Sequence, residues 1–396
     1  LILQIFKQNK IGYIRRIVIS IGLSISLLMF GGLLINNLYP LLGVIDPLSE
    51  VSITTFLTVV VIVLSILAYL RSDNRLNPIQ ELFPILKNMD PWNGTLLTIA
   101  SILPIFSILG SYYMEETGNN SILIALMIVV PIYVSILLLS KKTKSKIIHP
   151  LSIFTISISL LFINGLPSQY LIGSDVHFEH YAFLTTSTNA NWAIDNYRHL
   201  VNACLSTSIL PTIFEKISGI QSVYVFKVIF NLIFALIPLT VYVICRQYFK
   251  SREAFLASFL YIAQIPFLYT LQSGMRQGIA VLFFALTVIS ILDEKMNPIF
   301  RKSLLIIFIA SIVVSHYSTA YISVFIMIFI LMLLRILKKG RFLSSSNIGV
   351  FMVMLASVFI FFWYAQMTVG FNTMINFFDN TAANLVHFAE LESRGG

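Results

Sequence analysis

Charge is what this sequence has least of. Asp, Glu, Lys and Arg together make up 11% of its 396 residues, where a soluble domain carries about 25%. Cysteine is nearly absent too. Cys204 and Cys245 have neither metal nor redox spacing, and Cys245 falls inside an apolar run, so no disulfide framework is expected. There is no glycine-rich phosphate loop, no dinucleotide-binding glycine pattern, no Ser-His-Asp order and no Cys-x-x-Cys pair. The nucleotide, hydrolase and thiol chemistries that use those motifs are therefore excluded as first readings. The first apolar run is expected to be a true span rather than a cleavable leader, because it is too long and lacks a small-residue cleavage site. The chain starts at Leu1 and stops at Gly396 just after a polar stretch, so further residues are expected at both ends.

Long apolar runs fill the space that charge leaves. Hydrophobic residues make up 57% of the chain and the mean hydropathy is +0.88, which predicts an all-α polytopic membrane protein. A span needs about 20 apolar residues. Runs near 17–37, 52–70, 94–113, 121–140, 148–165, 223–245, 254–271, 277–292, 303–315, 319–336 and 347–366 predict about eleven of them. The loop 71–93, with Pro78, Pro84 and Pro91, is expected to lie along the inner surface.

The basic residues orient these spans. Only Arg198, Lys216, Lys227, Arg276 and Arg394 fall outside the clusters that recur at every second loop. Acids lean the other way. The N-terminus is thus expected in the cytoplasm of a plasma-membrane protein, and the formal charge of +9 anchors an inner surface. It does not form a nucleic-acid groove. The same alternation requires a break at Ser315–His316–Tyr317–Ser318–Thr319, since one helix over 303–336 would carry Lys338, Lys339 and Arg341 to the wrong side.

Against this apolar background, Gly173–Ser174–Asp175–Val176–His177–Phe178–Glu179–His180–Tyr181 stands out. It opens the long external loop 166–222. If Ser174 caps a helix, Asp175 and Glu179 lie one turn apart on one face. A carboxylate at the edge of an apolar site can serve as a general base. A second acid one turn away can bind a divalent cation, or tune the first by like-charge repulsion. The plain alternative is a pair of solvated loop acids. His177 and His180 flank Glu179, but their spacing matches no standard helical zinc site and the ligand count is short, so no protein metal site is assigned.

Later spans add candidates on the same expected side. Arg276, with Gln277 beside it, can clamp a phosphate or simply snorkel. His316 and Tyr317 interrupt an apolar run, where polar groups tend to face a cavity. Lys227, one turn into a span, is a further phosphate candidate. The aromatics of 166–222, among them Phe178, Tyr181, Trp192 and Tyr197, suit helices lying in the membrane interface.

The Gly173-x-Asp175 pattern after a span, surface helices and then a ladder of short spans resembles the GT-C superfamily of integral-membrane glycosyltransferases. Gly-Ser-Asp-Val-His-Phe-Glu-His-Tyr and Val-Ser-His-Tyr-Ser-Thr are similar to an archaeal group of predicted multi-pass membrane proteins. The resemblance covers roughly 148–396. It implies a core over 148–366, an N-terminal four-span addition over 1–147, and an external segment beginning at 367–396. It also implies a sugar donor on a polyprenyl (dolichyl-type) phosphate and a glycan, protein or lipid acceptor. Asp175 then matches the family's catalytic base and Glu179 its second acid, although the two are not adjacent as in many members. An oligosaccharide polymerase or ligase, a lipid-linked glycan flippase and a structural subunit are the competing readings. The first would rely on loop arginines, and this loop has only Arg198.

Overall fold

The computed structural model describes residues 1–8, 11–71, 89–140, 147–293, 295–336 and 346–367, with isolated positions elsewhere. All regular structure among them is helical. The chain runs through α1 (Tyr13–Leu38), α2 (Glu50–Arg71), α3 (Pro91–Thr117), α4 (Ser121–Leu139) and α5 (Ile148–Gly165). Two shorter helices follow, α6 (Asp175–Asn189) and α7 (Ile209–Ser218). Then come α8 (Ser222–Cys245), α9 (Ser251–Ile262), α10 (Pro266–Ser273), α11 (Met275–Leu292), α12 (Pro298–Ser315), α13 (Tyr317–Ile336) and α14 (Ser346–Phe361).

Eight of these, α1–α5, α8, α11 and α12, are long and apolar enough to cross a membrane. The span expected over 254–271 is broken: α9 and α10 meet at 62°. Pro266 has no N–H with which to continue the α9 ladder, and Pro266–Thr270 winds as a π turn. Counting the bent pair gives up to nine spans among the described residues by length and composition, where the sequence suggested about eleven. The last two apolar helices are described over the shorter stretches Tyr317–Leu333 and Val350–Ala365. The expected break in 303–336 falls at His316, whose backbone is extended between α12 and α13. The inner-surface reading of loop 71–93 depends on residues 72–86, which lie outside the described residues. The Lys338–Lys339–Arg341 cluster and, apart from isolated positions, the tail from 368 do so as well.

The bundle is built around α5, α8, α11 and α12, most of whose residues are buried, whereas α2 is largely exposed. In lipid the hydrophobic effect does not drive helices together, so close packing and polar contacts must do it. Small residues allow this. Ser107 on α3 donates to the Ser159 carbonyl on α5 at 2.7 Å, and Ser26 on α1 meets Ser311 on α12 at 2.8 Å. At Gly278 on α11 a Cβ would lie 2.3 Å from the Phe234 ring, so α8 and α11 approach across a bare backbone. At one end of the bundle Arg15 pairs with the buried Asp293, and Arg252 donates to the Ser140 carbonyl.

The opposite end is closed by the segment after α6. Residues 201–213 are buried without interruption, although the sequence placed this loop in the membrane interface. The reason lies in the break at His316. A helix leaves its last carbonyls without partners, and buried carbonyls need them. The Val314 carbonyl accepts from the Leu205 N–H at 2.8 Å, and the Ser315 carbonyl accepts from the Ser206 hydroxyl at 2.9 Å. Tyr364 donates to the Val313 carbonyl. Trp363 Nε1 in turn donates to the Ala203 carbonyl at 3.0 Å, and its ring stacks on Trp192. The end of α12 and the loop thus complete one another's hydrogen bonding.

Candidate functional site

α6 sits on this closed end. It starts at Asp175, whose charge suits the first turn. Ser174 occupies the cap position, but its side chain makes no capping bond. Gly173 precedes it with φ +116, and a Cβ there would lie 2.5 Å from Ser273 Cβ and 2.8 Å from its Cα. Only glycine lets the loop lie this close to the α10–α11 junction. Val176, Glu179, Ala182, Phe183 and Thr186 form the buried stripe of α6, while Phe178 and Tyr181 point outward.

That packing delivers Glu179 to the start of α11. The carboxylate is fully buried. It accepts the Met275 N–H at 2.7 Å through Oε2 and Arg276 Nη1 at 2.8 Å through Oε1. The first N–H groups of a helix lack intrahelical partners and carry the positive end of its dipole, so α6 supplies the cap that α11 lacks. Arg276 reaches back with Nη2 to Asp175 Oδ2 at 2.6 Å. One guanidinium therefore bridges both acids. Asp175 keeps 54% of its side-chain surface exposed, against 7% for Arg276. Arg276 Nε is buried with no hydrogen-bond partner among the described residues, and the Tyr317 ring lies 5.8 Å from its Cζ. Burial pushes the Glu179 carboxyl up to about 7, against the pull of Arg276 and the α11 N–H groups.

The residues singled out in the sequence divide as follows. Asp175, Glu179, Arg276 and Tyr317 meet. His316 adjoins them: its ring is 5.0 Å from Tyr317 and its Nδ1 is 2.7 Å from the Thr319 hydroxyl. Arg276 is not presented as an open phosphate clamp, because each terminal nitrogen holds a carboxylate. His177 is exposed. His180 turns away, packing against Phe183 and Phe226 with its Nε2 buried and unpartnered among the described residues. That burial lowers its basicity. Gln277 is half-buried on α11. Lys227 is buried elsewhere. Its ammonium donates to the Ser168 carbonyl, beside a cavity of about 10 Å³ that it shares with Asn231 and Gln272, room for one water. Among the described residues no three His, Cys, Asp or Glu side chains gather as metal ligands.

Sequence reasoning missed His199. Its ring stacks on Phe178 at 5.2 Å and on Tyr197 at 5.3 Å, within 13° of parallel. Partial burial lowers its pKa first, then Arg276, with Asp175 opposing, so it shares the electrostatic field of the carboxylate site. Tyr197 and His199 flank a tight turn in which the His199 N–H meets the Tyr197 carbonyl at 2.7 Å, so no simple alternation in the sequence announced their stacking.

Fold and site together define a multi-pass helical membrane protein with a carboxylate–guanidinium cluster at one end of its bundle. A family model described as "Predicted membrane protein (DUF2206)" matches residues 301–395, a stretch that contains His316 and Tyr317 but not Asp175, Glu179 or Arg276. No curated protein and no solved structure matches the chain.

Proposed function

We propose that this chain is a membrane glycosyltransferase. It would move a sugar from a polyprenyl-phosphate donor to a hydroxyl acceptor at the extracytoplasmic face of the plasma membrane. The observation that carries the reading is the unequal treatment of the two acids. Glu179 is sealed beneath Arg276, and Asp175 is held by the same guanidinium with half its surface open. Glu179 is then a positioning residue, and Asp175 is the group free to meet a substrate.

In the reaction Asp175 removes the acceptor hydroxyl's proton. The oxygen forms a bond to the anomeric carbon, and the bond from that carbon to the phosphate oxygen breaks. The leaving polyprenyl phosphate takes the electron pair. A single displacement inverts the anomeric centre, and one base suffices because no covalent sugar–enzyme intermediate is needed.

The test is turnover by the purified chain in lipid nanodiscs, given labelled polyprenyl-phosphate sugars and hydroxyl acceptors. Acceptor-dependent release of the carrier phosphate, with an inverted linkage by NMR, is expected. Release with retained configuration, or none with any donor, would overturn the proposal.

A further inference from the structure

The proposed reaction uses Asp175 but leaves unexplained the ring stack beside it. Phe178 lies one helical turn after Asp175 on α6, within about 6 Å between Cβ atoms for such a spacing. Its ring is 49% exposed yet does not lie loose, because His199 packs parallel to it at 6°. Tyr197 continues the stack, and Tyr181 meets Tyr197 edge-on at 4.9 Å. His199 Nδ1 accepts the Val201 N–H, which leaves Nε2 as a donor at the rim. Asp175, one turn before Phe178 on α6, and the Asp195–Arg198 pair, next to Tyr197 in the chain, are solvent-exposed.

The chemistry of this surface selects its occupant. A lipid tail laid over the rings would strip water from Asp175 and Asp195, an unfavourable transfer. An anionic headgroup or nucleic acid would face two carboxylates against one guanidinium, and Arg198 already pairs with Asp195 at 3.0 Å. A neutral sugar ring fits both features. Its C–H face is apolar and weakly positive, complementary to the negative face of an aromatic ring. Its hydroxyls have carboxylate acceptors and the imidazole N–H within the rim. We infer that the face of Phe178 left open by His199, with the His199 and Tyr197 rings stacked behind it, forms a carbohydrate-binding platform for a neutral hexose or N-acetylhexosamine unit. Its place beside Asp175 makes it the acceptor subsite; only that last assignment rests on the transferase reading.

The experiment reads binding alone, with no lipid-phosphate donor present. Saturation-transfer NMR is run on the full chain in nanodiscs, free of sugar-headed detergent. The probes are methyl hexosides and methyl N-acetylhexosaminides, with inositol and glycerol as controls. At least one glycoside is expected to bind with saturation focused on one C–H face of the ring. Phe178→Ala should weaken it about tenfold, and Phe178→Trp should retain it. Far-ultraviolet circular dichroism and size-exclusion profiles confirm that the variants are folded. Binding that survives Phe178→Ala, or the absence of binding by every glycoside, overturns the platform. So does a Phe178→Trp that binds as poorly as the alanine variant while remaining folded. None of these results depends on turnover, so loss of the platform and loss of the transferase reading are separate outcomes.

Discussion

Removing the Glu179 carboxylate while leaving Arg276 in place probes how the cluster is held. In Glu179→Leu the side chain keeps most of its bulk, but the Met275 N–H and Arg276 Nη1 lose their acceptor. A buried donor left unsatisfied costs about 1–3 kcal/mol, and breaking a buried ion pair from one side costs about 3–5 kcal/mol. The two figures overlap, since one carboxylate serves both donors. Asp175 still holds Nη2, so the lower end applies and the expected loss is about 3 kcal/mol. Asp175→Asn differs, because its carboxylate is 54% exposed and Arg276 keeps Glu179; the cost is at most about 1 kcal/mol. The double variant Glu179→Leu/Arg276→Met removes both buried charges and should recover most of the loss, as apolar replacements of buried pairs often do. Reversible unfolding in mixed micelles measures all three. A Glu179→Leu protein no less stable than Asp175→Asn, or a double variant as poor as the single, would refute the reasoning.

Three further outcomes follow from the same geometry. Because the folded protein raises the Glu179 carboxyl to about 7, the folded state binds this proton more tightly than the unfolded chain. Its contribution to stability is therefore fully present below the ordinary carboxyl range and is lost as pH rises towards 7; Glu179→Gln should flatten that slope, and an unchanged slope would contradict the assignment. Gly173→Ala places a methyl against Ser273 at a positive φ, which costs about 1–3 kcal/mol in backbone strain alone; a thermal midpoint equal to wild type would count against the close packing there. For orientation, one cysteine at a time is introduced at Tyr170 or Tyr248, both well exposed and on loops at opposite ends of the bundle, in a Cys245→Ser background that keeps only the buried Cys204. A membrane-impermeant maleimide should label Tyr170→Cys in intact cells and Tyr248→Cys only after permeabilisation; the reverse pattern would put the site on the cytoplasmic side.

Hydrophobic runs made most of the spans legible, because a membrane helix must satisfy its backbone within itself and therefore announces itself locally. The break at His316 was legible through the alternation of basic loops instead. What composition did not reveal was where broken helices would send their carbonyls. The burial of residues 201–213 follows from partners at Val314 and Ser315, more than a hundred positions away in sequence. At the site, the spacing of Asp175 and Glu179 placed both on one helix face, and both reach Arg276. Their division into one buried and one open acid was not legible, because it depends on Glu179 meeting the start of α11. Nor was the pairing of Phe178 with His199, which a turn between α6 and α7 brings together.

The central claim is that Asp175 is the group that meets the acceptor while Glu179 and Arg276 hold it. Steady-state transfer by Asp175→Asn, measured over a range of lipid-donor concentrations, tests it most directly. The account predicts a fall in kcat of about 10²–10⁴-fold, the usual contribution of a positioned base, with the donor KM near wild type. A variant that turns over at the wild-type rate would contradict it.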